Sequence, residues 1–238
     1  MIRLPLTRTA LEDTEYPLEP EAAHYLCVVR RLTAGDTVRV FDGRGREATA
    51  VLEVDGARVL LRRVDAVVAG ISGADVRLVY ALPRGEKVDD VVRHVTELGV
   101  SGVLLLAAER SVSRLDDAER ADKKRSRWAR IAAEAARQSG RADVPTVEGP
   151  TTLEAYLEAS ASRCRFVLHP EDGEPLPPLP VDLGVDVAVG PEGGFSPREL
   201  ALFERAGVRR ITLRCPVLRT ETAAIVAPTL VLAALGRL

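Results

Sequence analysis

The chain has 238 residues, 46% of them hydrophobic, and a formal net charge of −2 at pH 7, which excludes a polycation that binds nucleic acid through its overall charge. Its apolar stretches are too short to span a membrane, and its first residues contain no apolar signal region, so we expect a cytoplasmic globular protein. Three scattered cysteines and three scattered histidines argue against a disulfide framework and against a metal site.

The N-terminal part of the chain predicts a small β-rich domain at residues 1–68. A helix is expected at 21–32, and short strands joined by Asp-Gly turns follow it, in a hairpin pattern typical of a small barrel. The predicted strands span 37–41, 47–54 and 58–64. Residues 66–74 contain glycine and serine and indicate a linker.

From residue 75 to 238 the pattern alternates between strands and helices, which predicts a mostly parallel α/β sheet. Strands are expected at 76–82, 103–107, 166–168, 185–189 and 211–213. Helices are expected at 88–98, 116–139 and 151–159, directly after Ser196, and at 219–235. Residues 174–180 are rich in proline and predict a surface loop.

Charge is distributed unevenly along this second part. Residues 77–141 contain fourteen Lys and Arg and ten Asp and Glu, whereas 143–190 contain two and nine. Any contact with nucleic acid would therefore use a local basic face. The helix at 116–139 carries several of these cations, although charge runs are more often solvated helix faces.

A glycine-rich turn between a strand and a helix is the most informative segment. Val185–Val189 leads into Gly190-Pro191-Glu192-Gly193-Gly194, and the helix begins at once, with Ser196 as N-cap, Pro197 at its first position and Glu199 completing a capping box. Glycines let a ligand approach the backbone, and open α/β sheets bind ligands at the carboxyl ends of their strands. The alternative is a tight turn that binds nothing.

Two further polar segments are candidates for chemistry. Arg219, Thr220, Glu221 and Thr222 lie between apolar flanks at the start of the last helix, where capping is the alternative explanation. The second segment, 134–141, contains Arg137 and ends with Gly140 and Arg141, which also fits an ordinary helix end.

Taken together, these segments resemble one family over nearly the whole chain: the bacterial 16S ribosomal RNA uridine N3-methyltransferases of the SPOUT class. Gly190–Glu199 and Leu218–Ala223 at this spacing are the most specific of them. The other residues that carry the resemblance are His24-Tyr25-Leu26 with Val29-Arg30, Phe41-Asp42-Gly43, Arg84-Gly85-Glu86-Lys87, Thr96-Glu97-Leu98-Gly99, Glu109-Arg110-Ser111-Val112, Arg137–Arg141 and Leu168-His169-Pro170.

The resemblance implies a PUA-like RNA-binding barrel followed by a SPOUT α/β domain with a trefoil knot. It also implies a homodimer, S-adenosylmethionine as the methyl donor, and 16S ribosomal RNA or the assembled small subunit as partner, with no metal and no membrane. The product would be a uridine methylated at N3. Alternatives are a methyltransferase of the same fold that acts elsewhere on RNA, such as a ribose hydroxyl, and a non-catalytic RNA-binding assembly factor.

The resemblance and the polar segments together give three sets of candidate site residues. The catalytic candidates are Arg219, Glu221 and Arg137. The donor-binding candidates are Leu168, His169, Gly190, Pro191, Glu192, Gly193, Gly194, Leu213, Val217 and Leu218. The RNA-binding candidates are His24, Arg30, Arg31, Arg84, Lys87, Arg110 and Arg141.

Two points stay open at this stage. Glu221, Glu192 or His169 could accept the proton that uridine N3 loses. In addition, the chain has Arg214 and Pro216 where the family usually has a glycine and an arginine, which affects the expected donor contacts at 214–216.

Overall fold

The structure, a computed structural model, describes residues 1–6, 10–56, 58–85, 87–111, 118–179 and 183–238. The chain divides into two compact units: residues 1–72 with 136–144, and residues 73–135 with 145–238. Among the described residues, no helix is both long and apolar enough to cross a membrane.

The first unit is built on a six-stranded mixed sheet. Its strands are β1 (Ile2–Pro5), β2 (Glu15–Pro17), β3 (Thr37–Phe41), β4 (Arg46–Asp55), β5 (Arg58–Arg63) and β6 (Val68–Ala69). Their order is β1-β3-β4-β5-β2, with β6 paired to β4; β1 runs parallel to β3, and the other pairs are antiparallel. Alternate residues of β4 are buried, which is the pattern of a sheet with one face on a core.

The helical segment of this unit is shorter and less regular than the sequence predicts. Helix α1 (Pro20–His24) continues directly as a π-helix over Tyr25–Val29. Arg31 has a φ of 57°, a left-handed conformation that no helix can continue through, so the predicted extension to residue 32 is wrong. Leu26 is fully buried in the core of the unit, whereas Val28 and Val29 are exposed.

Residues 136–144 belong to the first unit because their backbone pairs with it. The Ala142 N–H donates to the Ile71 carbonyl at 2.7 Å, and the Gly45 N–H donates to the Ala142 carbonyl at 3.0 Å. The predicted domains 1–68 and 75–238 are single stretches of chain, so they do not assign residues 136–144 to the first unit. The predicted linker is also structured, since it contains β6, and a Cβ added to Gly70 would lie 2.4 Å from the Ala142 Cβ.

The second unit has a six-stranded sheet in which all neighbouring strands are parallel. Its strands are β7 (Ala74–Ala81), β8 (Val100–Leu106), β9 (Thr146–Thr151), β10 (Cys164–Leu168), β11 (Val185–Val189) and β12 (Arg209–Ile211). Their order is β12-β10-β11-β7-β8-β9. After β7 the chain continues to β8, toward the β9 edge of the sheet, whereas after β11 it continues to β12, at the opposite edge. The direction of winding therefore changes between the neighbouring strands β7 and β11. Such a switch point is where open α/β sheets bind ligands.

Five helices complete this unit as the structure describes it. They are α2 (Val88–Leu98), α3 (Ala118–Ser139), α4 (Leu153–Ala159), α5 (Pro197–Arg205) and α6 (Thr220–Ala234). Helix α2 ends at Gly99, whose φ of 104° is the left-handed C-cap that the sequence predicts. The predicted start of α3 at Asp116 lies outside the described residues, as do Glu86, Val112 and Pro180 of the segments named above.

Strand β9 and helix α4 differ from the sequence-based prediction for local reasons. Strand β9 was missed because Thr146–Thr151 contains Gly149 and Pro150 and lies at the sheet edge, where proline is tolerated. Helix α4 begins at Leu153 rather than 151 because the Thr152 hydroxyl caps it, accepting the Ala155 N–H at 3.2 Å.

An apolar core of the second unit joins strands β7, β8, β10 and β11 to helices α4 and α5. Every residue of β11 is buried, as expected for a central parallel strand. Phe195, just before α5, meets Phe203 edge to face with centroids 4.9 Å apart. This contact fixes α5 on the sheet, and with it the turn that precedes the helix.

Candidate functional site

A cavity of about 850 Å³ lies over the carboxyl ends of β10, β11 and β12 in the second unit. Three chain segments that follow these strands line it: 168–171, 189–195, and 213–223 with the exception of Arg214 and Thr222. Lys87 and Arg110 complete the lining from the segments after β7 and β8. All ten residues predicted to bind the donor are in this lining, and so are the catalytic candidates Arg219 and Glu221.

The glycine turn after β11 is held rigidly by the capping box of α5. The Ser196 hydroxyl accepts the Glu199 N–H at 3.2 Å, and the Glu199 carboxylate accepts the Ser196 N–H at 2.7 Å. The same carboxylate accepts the Glu109 N–H at 2.9 Å, and only 2% of Glu199 is exposed. The buried Glu199 therefore joins the start of α5 to the segment after β8.

The start of α6 is attached to the same turn. The Thr220 hydroxyl donates to the Gly190 carbonyl at 2.6 Å. Arg219 occupies the N-cap position without capping through its side chain, is exposed, and lines the cavity. Thr220 thus has a role that the sequence could not distinguish from helix capping, because its partner is thirty residues away.

Lys87 lies between two carboxylates of the cavity. Its ammonium donates to Glu192 at 3.1 Å and to Glu221 at 3.0 Å. The Arg84 backbone N–H also donates to the Glu192 carboxylate, at 3.2 Å from each oxygen. Lys87 and Arg84 were predicted to contact RNA; in this structure the Lys87 ammonium is used within the cavity, while the Arg84 side chain is exposed.

The two carboxylates are both in the charged form at neutral pH. Partial burial opposes ionisation of Glu192, but its own backbone amide, Lys87 and the Arg84 amide outweigh it and keep its pKa below the ordinary value. A backbone amide and the Lys87 ammonium likewise lower the pKa of Glu221, and Arg219 adds to this effect. Because a lowered pKa makes a carboxylate a weaker base, neither glutamate is tuned to accept a proton.

The third candidate base, His169, already uses its Nδ1 as a hydrogen-bond acceptor. Its Nδ1 accepts the backbone N–H of Asp172 at 3.0 Å and faces that of Glu171 at 3.4 Å. A neutral ring with Nδ1 as acceptor carries its proton on Nε2. His169 lines the cavity, and in this tautomer Nε2–H is the remaining hydrogen-bond donor of its ring.

Arg110 supports the glycine turn from the segment after β8. Its guanidinium donates to the Gly193 carbonyl at 2.7 Å. A Cβ added to Gly193 would lie 3.4 Å from the Arg110 side chain, and one added to Gly190 would lie 3.2 Å from the Phe195 ring. Glycine at these two positions therefore lets the Phe195 ring and the Arg110 side chain pack closely against the backbone of the turn.

The remaining predicted residues lie in the first unit. His24 at the end of α1, and Arg30 and Arg31 just after the π-helix, are exposed. Arg137 is partly buried and lies over the Tyr25 ring, 4.5 Å from its centroid, with the Tyr25 hydroxyl as a further partner. Burial lowers the pKa of Arg137. The structure does not place Arg137 in the cavity lining described above.

Arg141, which was predicted to contact RNA, is buried in an ion pair. Its side chain is only 3% exposed and forms a two-point ion pair with Asp143, at 2.9 and 2.7 Å. A guanidinium held in this way stabilises its own loop and cannot reach a phosphate, so Arg141 is not retained among the RNA contacts.

The unusual sequence at 214–216 does not fill the cavity. Arg214 is exposed and lies outside the lining, whereas Cys215 and Pro216 form part of it. The Cys215 N–H donates to the Leu213 carbonyl at 2.8 Å, which closes a tight turn there. The long side chain that departs from the family pattern therefore points away from the space a donor would need.

The residues present fit S-adenosylmethionine. The cavity volume is within the range of small-molecule sites, about 300–1,000 Å³. Leucine and valine side chains provide apolar surface for a base and ribose, and the three glycines of the turn carry no side chain that would keep a ligand from its backbone. No group of three or more His, Cys, Asp or Glu able to hold a metal ion occurs among the residues searched, which are the described ones.

Two family models match the chain. The RNA methyltransferase domain matches residues 72–232, and the RNA methyltransferase PUA domain matches 18–60. The chain is 35% identical to the ribosomal RNA small subunit methyltransferase E of Mycobacterium bovis, over 88% of this chain and 83% of that protein. It is 30% identical to the protein of the same name from Bacillus subtilis, over 93% and 91% of the two chains.

Solved structures agree with these matches. A methyltransferase structure from Legionella pneumophila, in complex with the bound cofactor SAM, is 31% identical, with a TM-score of 0.84 over 98% of this chain and 97% of that chain. The fold is also that of a ribosomal RNA small subunit methyltransferase E from Neisseria gonorrhoeae, at 24% identity and a TM-score of 0.82, over 98% and 97%.

Proposed function

The chain belongs to the ribosomal RNA small subunit methyltransferase E family, and we propose that it methylates N3 of a uridine in 16S ribosomal RNA with S-adenosylmethionine as donor. The observation that carries this proposal is the cavity at the carboxyl ends of β10, β11 and β12, where every predicted donor-binding residue meets two predicted catalytic ones. The similarity to a structure with bound SAM supports the choice of donor.

When bound, S-adenosylmethionine supplies an electrophilic methyl group on a sulfonium centre. It would be held by the residues of the glycine turn and by Leu168, His169, Leu213, Val217 and Leu218. The turn is fixed by the capping box of α5, by Arg110 and by Thr220, so the donor site is preorganised. Such rigidity aligns reacting atoms and lowers the entropic cost of the transfer.

We propose that this chain activates the nucleophile mainly by stabilising the uridine anion. Uridine N3 becomes nucleophilic when it releases its proton to solvent water, and the negative charge then spreads onto the neighbouring oxygens. None of the three candidate bases is suited to accept this proton. Glu192 and Glu221 have lowered pKa values, and Nδ1 of His169 already accepts a backbone N–H. Arg219 is a cation of the cavity lining that can stabilise the developing uridine anion.

RNA recognition is assigned to the first unit and to the edge of the cavity. N3 lies on the pairing edge of the base, so the target uridine must be unpaired or turned out. His24, Arg30 and Arg31 are exposed before and after the π-helix and would contact RNA there, and the exposed Arg84 and Arg110 would contact RNA near the cavity. Arg137 is proposed to act at the catalytic centre. The substrate would be 16S ribosomal RNA or the assembled small subunit.

Three further features complete the proposal. The first unit, together with residues 136–144, would be the PUA-like RNA-binding domain, and the second the methyltransferase domain with its trefoil knot. The protein would be a homodimer that acts in the cytoplasm. The apolar helix α6 supports the dimer, because Leu230 is 40% exposed on it.

Nucleoside analysis tests the proposed reaction. The protein is incubated with methyl-labelled S-adenosylmethionine and either free 16S ribosomal RNA or small subunits from cells that lack the modification. The RNA is then digested and its nucleosides separated by mass. We expect label in 3-methyluridine. Label in a 2′-O-methylated nucleoside would replace the proposed target, and RNA binding without any transfer would favour the non-catalytic assembly factor.

A further inference from the structure

Lys87 joins two walls of the cavity that come from distant parts of the chain. Glu192 belongs to the glycine turn after β11, and Glu221 belongs to the first turn of α6. Between them the Lys87 ammonium makes two charge-assisted hydrogen bonds, at 3.1 and 3.0 Å. Lys87 is itself the N-cap residue of α2, so one side chain connects the starts of two helices with the turn.

Electrostatics make this connection necessary. Two carboxylates that share one partner repel each other when the partner is removed, and one of them then takes up a proton more readily. Among the described residues, the other charged groups of the cavity lining are Arg219, next to Glu221, Arg110, which is bonded to the Gly193 carbonyl, and the Glu171 carboxylate; the lining also contains the His169 imidazole. None of these groups forms the bridge between Glu192 and Glu221.

We propose that Lys87 is a positioning residue of the donor site: its ammonium holds Glu192 and Glu221 together and so fixes the glycine turn against the start of α6. This inference rests on the proposed function, since it takes the cavity to be the donor site. It assigns Lys87 to donor binding, whereas the sequence suggested a phosphate contact. A side chain used in this way does not contribute to the salt dependence of RNA binding.

The first test is donor affinity by calorimetry in the full chain. Lys87→Met should weaken S-adenosylmethionine binding roughly three- to tenfold, as expected for two partly exposed charge-assisted contacts. Lys87→Arg should restore most of the affinity. The matched control is Lys123→Met, which removes an exposed lysine paired with Glu119 and should leave donor affinity unchanged. Equal affinity of Lys87→Met and wild type would overturn the inference.

The second test separates a clamp from a direct contact between Lys87 and the donor. Adding Glu192→Gln to Lys87→Met removes the repulsion between the carboxylates, so the double variant should bind the donor more tightly than Lys87→Met alone. For the same reason, protonation of one carboxylate should restore donor affinity to Lys87→Met as pH falls from 7 toward 5, whereas the affinity of the wild type should stay flat over that range. No recovery in the double variant, together with parallel pH profiles, would contradict the clamp.

The outcomes also distinguish this inference from the proposed function. If wild-type protein fails to bind S-adenosylmethionine, the proposed function fails first. If the wild type binds the donor and transfers the methyl group while Lys87→Met behaves identically, only the role of Lys87 is wrong. Thermal unfolding of each variant checks that the partly exposed substitution has left the fold intact.

Discussion

Arg219 occupies a position where a cation is costly unless it has a function. It lies at the N-cap of α6, where the partial positive charge of a helix N-terminus disfavours a guanidinium. Its side chain is exposed and lines the cavity beside Glu221. These observations favour a role toward an anionic partner, which is either Glu221 or the uridine anion.

Replacing Arg219 with alanine distinguishes these two partners. If Arg219 stabilises the uridine anion, Arg219→Ala should lower the rate of methyl transfer by a hundredfold or more, or about 3 kcal/mol of transition-state stabilisation. Donor affinity should change little, because the interaction develops only in the transition state. Single-turnover kinetics and calorimetry measure the two quantities.

Arg205→Ala serves as a matched control, since Arg205 is an exposed arginine near the end of α5, outside the cavity lining. Loss of donor binding or of thermal stability in Arg219→Ala, with an unchanged single-turnover rate at saturating donor, would make Arg219 a structural residue.

The start of α5 is the element on which the glycine turn depends most. Glu199 is almost fully buried and accepts two backbone N–H groups, those of Ser196 and Glu109. Glu199→Ala would leave both donors unsatisfied, at a cost of about 1–3 kcal/mol each. We expect a lower urea midpoint and a weaker affinity for the donor. The matched control Glu204→Ala, at an exposed position of the same helix, should change neither.

The segment after the π-helix is the element that we assign to RNA. Reversal of Arg30 and Arg31 to glutamate should weaken binding to small-subunit RNA and flatten its dependence on salt, because phosphate contacts are lost. Donor affinity should be unchanged. Reversal of Arg44 and Arg58, two exposed arginines of the same unit, alters the net charge equally and should have a smaller effect. Equal losses in both double variants would mean that only overall charge matters.

The sequence predicted the elements that have strong local signals. The capping box at Ser196, the end of α2 at Gly99 and the central strand β11 are as expected, because short-range patterns determine them. Strand β9 and the π-helix were not predicted, since one contains glycine and proline at a sheet edge and the other is an irregular continuation of a helix.

Within the site, position along the sheet was predictable but the partners of individual side chains were not. The family resemblance implied that the predicted donor-binding segments lie together, and parallel strands do bring their carboxyl ends to one edge of a sheet. The bridge from Lys87 to Glu192 and Glu221, and the pairing of Arg141 with Asp143, depend on side-chain geometry. Because of these ion pairs, Lys87 and Arg141 are no longer assigned to RNA binding.

At the scale of the whole molecule, the apolar final helix predicts self-association. Helix α6 packs on α2, β7 and β11, yet Leu230 remains 40% exposed, and Ile225 and Val226 are only partly buried. A symmetric partner is the usual cover for such a helix. Sedimentation equilibrium at micromolar concentration should give twice the chain mass of 25.7 kDa. A single species of the chain mass would contradict the proposed dimer.

Calorimetric titration of wild type and Gly193→Val shows whether the cavity over β10, β11 and β12 binds S-adenosylmethionine. We expect saturable binding at one site per chain in the wild type. We expect no binding in the variant, whose new side chain would crowd Arg110 and the glycine turn while its thermal unfolding stays close to that of the wild type. A wild type that does not bind the donor, or a variant that binds it equally well, would contradict this account.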